Sequence, residues 1–202
     1  MDHDLRREKL EELVESVAEG MRLNQLERPG EAKELLRECW NSARRWDCSS
    51  AFIAWQLAIS YDMLGDANFA LKFIELALRL DPFPAPFRNS RDIIVANARR
   101  KLSALKITNS GIRGIVHGLA KVGAATPDDH LLLARHCYAH KLVEEALTET
   151  DLALKLDPEY SPAQMAKAVV MSGLRWHVED TKEEAALTFA QVLGAGLPKA
   201  EA

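Results

Sequence analysis

The chain has 202 residues, a net charge of −4, 48% apolar and 28% charged residues, and only 8 prolines and 10 glycines. That balance describes one folded domain or a short repeat array. It excludes wholesale disorder, and no apolar run approaches the length of a membrane span. The charged N-terminus, Met1 to Arg7, lacks the apolar core of a signal peptide. Three cysteines (Cys39, Cys48, Cys137) show neither paired metal spacing nor the even count of a disulfide framework. A reducing cytoplasm is the expected compartment. Charge is unevenly spread. Residues 88–121 hold eight basic side chains against Asp92, a net +7, so with −4 overall the remainder stands at −11. Such asymmetry speaks to partners rather than to fold.

In chain order, nearly every segment reads as helix. Leu10, Leu13, Val14, Val17 and Met21 place one apolar stripe on a helix over 5–26, ended by Arg28-Pro29-Gly30. A second helix over 31–45 puts Leu35, Leu36, Cys39, Trp40 and Ala43 on one face. Ser49 or Ser50 can cap the next, 51–64, whose only clearly polar members are Gln56, Ser60 and Asp62. A helix apolar on nearly every side is expected to be buried on nearly every side. Gly65-Asp66 turns the chain into a helix over 67–80, stopped by Asp81-Pro82. A long basic helix over 87–106, the polar turn Thr108-Asn109-Ser110-Gly111 and a stripe from Ile112 to Val122 that contains Gly114 and Gly118 make an irregular third pair. Thr126-Pro127-Asp128-Asp129 is a strong helix start, and two helices over 127–140 and 142–156 follow. Ser161-Pro162-Ala163-Gln164 has the spacing of a capping box, opening a helix to about Trp176, and a last helix over 181–193 stops at Gly194. No segment alternates apolar and polar over strand length, so no sheet is expected.

Two stretches end alike, Leu76-Ala-Leu-Arg-Leu-Asp-Pro82 and Leu152-Ala-Leu-Lys-Leu-Asp-Pro158, and an internal repeat means copies of one supersecondary unit that must stack to bury their apolar faces. In the first copy Leu57, Ala58, Tyr61, Gly65, Ala70, Ala77 and Pro82, and in the second Leu133, Ala134, Ala146, Ala153 and Pro158, resemble the signature of the tetratricopeptide repeat. Trp55 stands one place from that family's usual aromatic, and Cys137 and Lys141 replace its tyrosine and glycine. The resemblance is specific over 51–84 and good over 127–160. It thins over 31–48, over the off-length 85–125, and over 161–197, where Ala185 and Phe189 fit only with an insertion. It implies an all-α, right-handed superhelical array of antiparallel helix hairpins, a TPR-like α-solenoid over 28–202, with residues 1–27 as a capping or associating helix.

The resemblance also implies a non-enzymatic interaction module whose first helices line a concave groove for a peptide or helix. By the family pattern Phe52, Trp55, Ile59 and Met63 face that groove, and Leu131, Arg135, Tyr138, Met165 and Val169 continue its lining. Large apolar residues exposed together mark binding surfaces, unless helix 5–26 covers them. Met and aromatic residues suit recognition of an amphipathic helix. Trp55→Ala is expected to abolish binding without unfolding the chain. The family's carboxylate-clamping variant needs polar and basic groove residues where this chain has Trp55, Ile59 and Leu131, and only Arg135 fits. A chaperone or adaptor that captures a protein or peptide is the leading reading, and bacterial secretion chaperones have a similar plan.

Two alternatives stand beside it. One is a homo-oligomeric scaffold using the N-terminal helix and complementary charged faces. The other is an anion or nucleic-acid binder through Arg88, Arg91, Arg99, Arg100, Lys101 and Lys106, although no nucleic-acid motif accompanies them. That basic stretch is otherwise expected to pair with acids such as Glu8, Glu11, Glu12 and Glu15. His136 and His140 lie one helical turn apart with His130 nearby, but no zinc-protease glutamate follows His136 and no second ligand pair is evident. They are expected as surface or packing residues, with no metal, cofactor or nucleophile–base–acid set.

Overall fold

The computed structural model describes residues 3–45 and 50–173. Among them are nine α-helices and no strand: α1 (His3–Gln25), α2 (Pro29–Arg45), α3 (Ala51–Met63), α4 (Ala67–Leu80), α5 (Ala85–Ala104), α6 (Gly111–Lys121), α7 (Pro127–Ala139), α8 (Val143–Leu156) and α9 (Ser161–Ser172). The expected helix over 181–193, and with it Ala185 and Phe189, lies outside the described residues. The described residues divide into two compact units, one within 3–105 together with 113–125, and the other 106–112 together with 126–173.

In the first unit, consecutive helices pack as antiparallel hairpins, α1 on α2 and α3 on α4, with α2 against α3 and α5 against α4. Small residues set the approach distances. A Cβ on Gly20 of α1 would lie 2.6 Å from Leu36 Cγ of α2, so only glycine lets the two backbones come this close. Gly118 of α6 meets Leu71 of α4 in the same way, at 2.9 Å from Leu71 Cβ. Leu36, Ile53, Leu57, Leu71 and Ile74 are fully buried between these helices. Tyr61 stacks on Phe73 and Phe69 at 5.5 and 5.0 Å, which fills the gap left by Ala58 and Ala70.

Helix α1 is therefore half of a hairpin rather than an appendage. Its C-terminal end is also tied to α3 by a buried polar cluster. Asn24 Nδ2 donates to the Gln56 carbonyl (3.1 Å) and to Gln56 Oε1 (3.2 Å), while Ser60 Oγ donates to Asn24 Oδ1 (2.9 Å). The polar residues of α3 thus do not mark a solvent face. Gln56 and Ser60 are buried, and their hydrogen-bonding groups are satisfied there.

The second unit repeats the α3–α4 hairpin with an offset of 76 residues. Helix α7 packs on α8, and α9 on both. Ser50 accepts from Ile53 N, and Thr126 caps α7 with a full capping box, its hydroxyl accepting from Asp129 N and Asp129 Oδ2 accepting from Thr126 N at 2.9 Å. At the other end, Asp81 and Asp157 adopt nearly the same backbone (φ −147°, ψ 104° and φ −142°, ψ 100°), and each carboxylate accepts from the amide two residues on, at 3.1 Å. The Leu-Asp-Pro signature is one Asx turn used twice.

One substitution is explained and one expectation is corrected. Gly65 takes φ +71°, and its counterpart Lys141 takes φ +63°, so the second copy keeps a left-handed turn without a glycine. The capping box at Ser161 does not form. Helix α9 starts one residue earlier than expected, at Ser161 itself, so Tyr160 occupies the cap position with no side-chain bond, and Gln164 Nε2 donates instead to the Pro158 carbonyl at 2.9 Å.

Candidate partner-binding face

In the first unit, α1 runs beside α3, and between α1 and the start of α3 lies a cleft of about 450 Å³ lined by Leu13, Val14, Val17, Ala18, Met21, Ser50, Phe52 and Ile53. Only Ser50 among these has a polar side chain. The cleft arises because, among the residues of α1 whose burial is described, only Gly20, Leu23 and Asn24 are buried, all near its C-terminal end. Its preceding turns keep their apolar stripe without a covering helix, and Val14 is 67% exposed.

The row expected on α3 divides. Phe52 and Met63 are exposed, at 37% and 42%, while Trp55 and Ile59 are half-buried. Phe52 forms part of the cleft wall. Trp55 is held by the chain itself: its indole Nε1 donates to Ser90 Oγ of α5 at 2.9 Å, and its rings sit 5.1 Å from Phe87 and 5.3 Å edge-on to Phe52. Trp55 thus braces α3 against α5 and packs on the Ala54–Ala77–Phe87 core. Next along, Asn97 Nδ2 donates to Asp62 Oδ2 at 2.8 Å, and burial still pushes the Asp62 carboxyl above its usual range. In the second unit, Leu131, Arg135, Tyr138, Met165 and Val169 are all half-buried on α7 and α9.

Leu13, Val14, Val17 and Met21 are cleft residues on the helix that sequence reasoning assigned to capping or association, and Ala18 joins them. The apolar stripe of α1 was the available signal. Once Gly20 is recognised as the close-approach point to α2, the side chains one and two turns earlier remain uncovered.

The basic stretch has a use within the chain. Arg88 donates to the Pro82 carbonyl at 3.4 Å, Lys101 to the Gly65 carbonyl and Arg99 to the Ala124 carbonyl. Each acceptor lies just beyond the C-terminus of a helix (α4, α3 and α6), where unpaired carbonyls and the helix dipole favour a cation. Arg91 pairs with Asp92 at 2.7 Å. Of the α1 acids expected to pair with this stretch, Glu11 pairs instead with Arg7 and Glu12 with Lys9, both within α1.

The histidines part company. His130 Nδ1 lies 2.8 Å from Glu149 Oε2, and both side chains are buried between α7 and α8. At the corresponding positions the first copy has Ala54 and Phe73. A polar pair therefore stands in the second copy where the first has an apolar contact. His136 and His140 lie together at the end of α7, ring centroids 4.6 Å apart. Among the described residues no three potential metal ligands cluster, and no helix is long and apolar enough to cross a membrane.

No protein-family model matches the chain, and no curated protein matches it. Among solved structures it is similar to two forms of MamA, one a fragment from residue 41 to the end from Desulfovibrio magneticus RS-1 and the other an RS-1 double mutant. Each is 18% identical, with 90% of this chain and 93% of that one covered, at a TM-score of 0.37. A likeness of that depth carries no argument about function.

Proposed function

We propose that the chain is a non-enzymatic interaction module that holds the apolar face of an amphipathic helix, or an extended apolar segment, in the cleft between α1 and α3. The observation that carries this reading is the cleft itself: open, nearly all apolar, and about 450 Å³. That volume falls within the ~300–1,000 Å³ of ligand clefts. Its walls come from α1 and α3, tied to each other by the Asn24–Gln56–Ser60 cluster, with α1 further seated on α2 by Gly20–Leu36 packing, so the site exists before a partner arrives. A preformed site avoids ordering costs on binding. Valine, methionine and phenylalanine offer the adaptable apolar contacts that helix-in-groove recognition uses.

A self-associating scaffold is the second reading, favoured by the exposure of Val14 and its neighbours on α1. The version in which α1 leaves its own chain to fill another groove must break the Asn24 cluster and uncover Leu36, which weighs against it. Deletion of residues 1–27 would damage the fold as well as the association, so sedimentation of the full chain over a concentration series is the cleaner test of assembly.

The experiment for the binding reading uses a fluorescein-labelled amphipathic Leu/Lys helical peptide as probe, titrated with the wild-type chain and with Val14→Asp. Val14 is exposed, so its replacement leaves the fold in place. A charge placed in the apolar contact is expected to weaken the peptide at least ~10-fold, as a lost apolar side-chain contact of about 1.5–3 kcal/mol implies. Equal affinity for both proteins would refute the cleft as the site.

A further inference from the structure

We infer that the C-terminal end of α7 carries a two-histidine site for a borderline divalent cation such as Cu²⁺, Ni²⁺ or Zn²⁺, built from His136 and His140. Three independent features converge there. His136 and His140 are four residues apart, which puts both imidazoles on one face of the last turn, and their ring centroids are 4.6 Å apart at an interplanar angle of 59°. Two rings at that separation can direct one nitrogen each at a shared ion, with water completing its coordination.

The second feature fixes which nitrogen. His136 Nδ1 lies 2.6 Å from the Ile107 carbonyl oxygen. A carbonyl only accepts, so Nδ1 carries the hydrogen and Nε2 keeps the lone pair that binds metal. Metal-ligating histidines characteristically donate their other ring N–H to such an acceptor, which orients the ring and raises its basicity. His136 already makes that bond. Ser60, its counterpart in the first copy, bonds Asn24 in an all-polar cluster with no imidazole. The orienting bond and the histidine pair are thus particular to the second copy.

The third feature is charge. His140 is the C-cap residue of α7, its amide donating to the His136 and Cys137 carbonyls at 3.2 and 3.1 Å. The negative end of the helix dipole lies there and favours a cation. His140 is exposed and open to solvent. Imidazole nitrogens select borderline metals over Mg²⁺ and Ca²⁺, which prefer oxygen.

The test is isothermal titration of the full chain, free of tags, with Ni²⁺, Zn²⁺ and Cu²⁺ in turn. Wild type and His117→Ala are expected to bind one ion with equal affinity through this pair. His140→Ala, at an exposed position, is expected to bind at least ~10-fold more weakly, the scale on which a lost ligand-shell contact acts. NMR of the histidine ring protons with substoichiometric Cu²⁺ should broaden His136 and His140 together and leave His130 sharp. Unchanged binding by His140→Ala, absence of binding at millimolar metal, or broadening confined to other histidines would overturn the assignment. Mg²⁺ should give no heat, and a response to Mg²⁺ equal to that to Zn²⁺ would also overturn it.

Discussion

Replacing Trp55 by alanine should lower stability by a magnitude that its contacts set. The indole makes one hydrogen bond to Ser90, a tilted ring contact to Phe87 and an edge contact to Phe52. Full burial would put Trp→Ala at about 3–5 kcal/mol, and half-burial brings the packing share to about 2 kcal/mol. The bond to Ser90 adds about 1 kcal/mol. The sum, about 3 kcal/mol, corresponds to a fall in Tm of about 6–12 °C for a chain of this size. Trp55→Phe keeps most of the ring contact and loses the bond, so it should cost only about 1–2 kcal/mol. Urea melts of the full chain followed by circular dichroism measure both. If Trp55→Ala melts at the wild-type midpoint, the brace between α3 and α5 does not exist and Trp55 is a surface residue after all.

Three further outcomes follow from the second unit. Lys141→Gly should raise stability by about 1 kcal/mol, because Lys141 holds φ +63° where its counterpart is Gly65, and thermal melting would show a rise in midpoint. Each of His130→Ala and Glu149→Phe should destabilise the fold by about 2–3 kcal/mol by breaking a buried polar pair, while the double variant, which restores the first copy's Ala–Phe combination, should recover much of that loss in a double-mutant cycle. Tyr160, pushed up from 10.0 to about 12 by burial and by its bond to Asp128, stays protonated in the fold above the pH at which the unfolded chain ionises it. Its contribution to stability is therefore complete below pH 10 and declines as pH rises toward about 12, and Tyr160→Phe should flatten that decline in melts taken across the range.

The local signals were the legible ones. Helix α4 begins and ends where the Asp66 cap and the Asp81-Pro82 stop place it, and Thr126 caps α7 as its four-residue start signal indicated. These features depend on neighbours within a few positions, so the sequence contains the whole cause. What was hidden depends on residues far apart. Burial of α3 on nearly every side was legible, but the partner that satisfies its polar Gln56 and Ser60 was not, because Asn24 lies more than 30 residues away. The basic residues of α5 look like an anion site until the carbonyl ends of α3, α4 and α6 come within reach. The cleft is partly visible in the stripe of α1, but which part stays open is decided by where Gly20 meets Leu36. The Ser161 box failed locally, since α9 begins at Ser161 itself with Tyr160 at the cap position and Gln164 bonded back to Pro158.

The most direct measurement of the binding claim is the solvent protection of the cleft itself. Hydroxyl-radical footprinting of the full chain, with and without the amphipathic Leu/Lys peptide at saturation, reads the side chains of Val14, Met21 and Phe52 individually. Binding in the cleft predicts that all three lose reactivity together while Phe83, exposed at 81% and remote from the cleft lining, keeps its own. Unchanged reactivity at Val14, Met21 and Phe52 with peptide bound would contradict it.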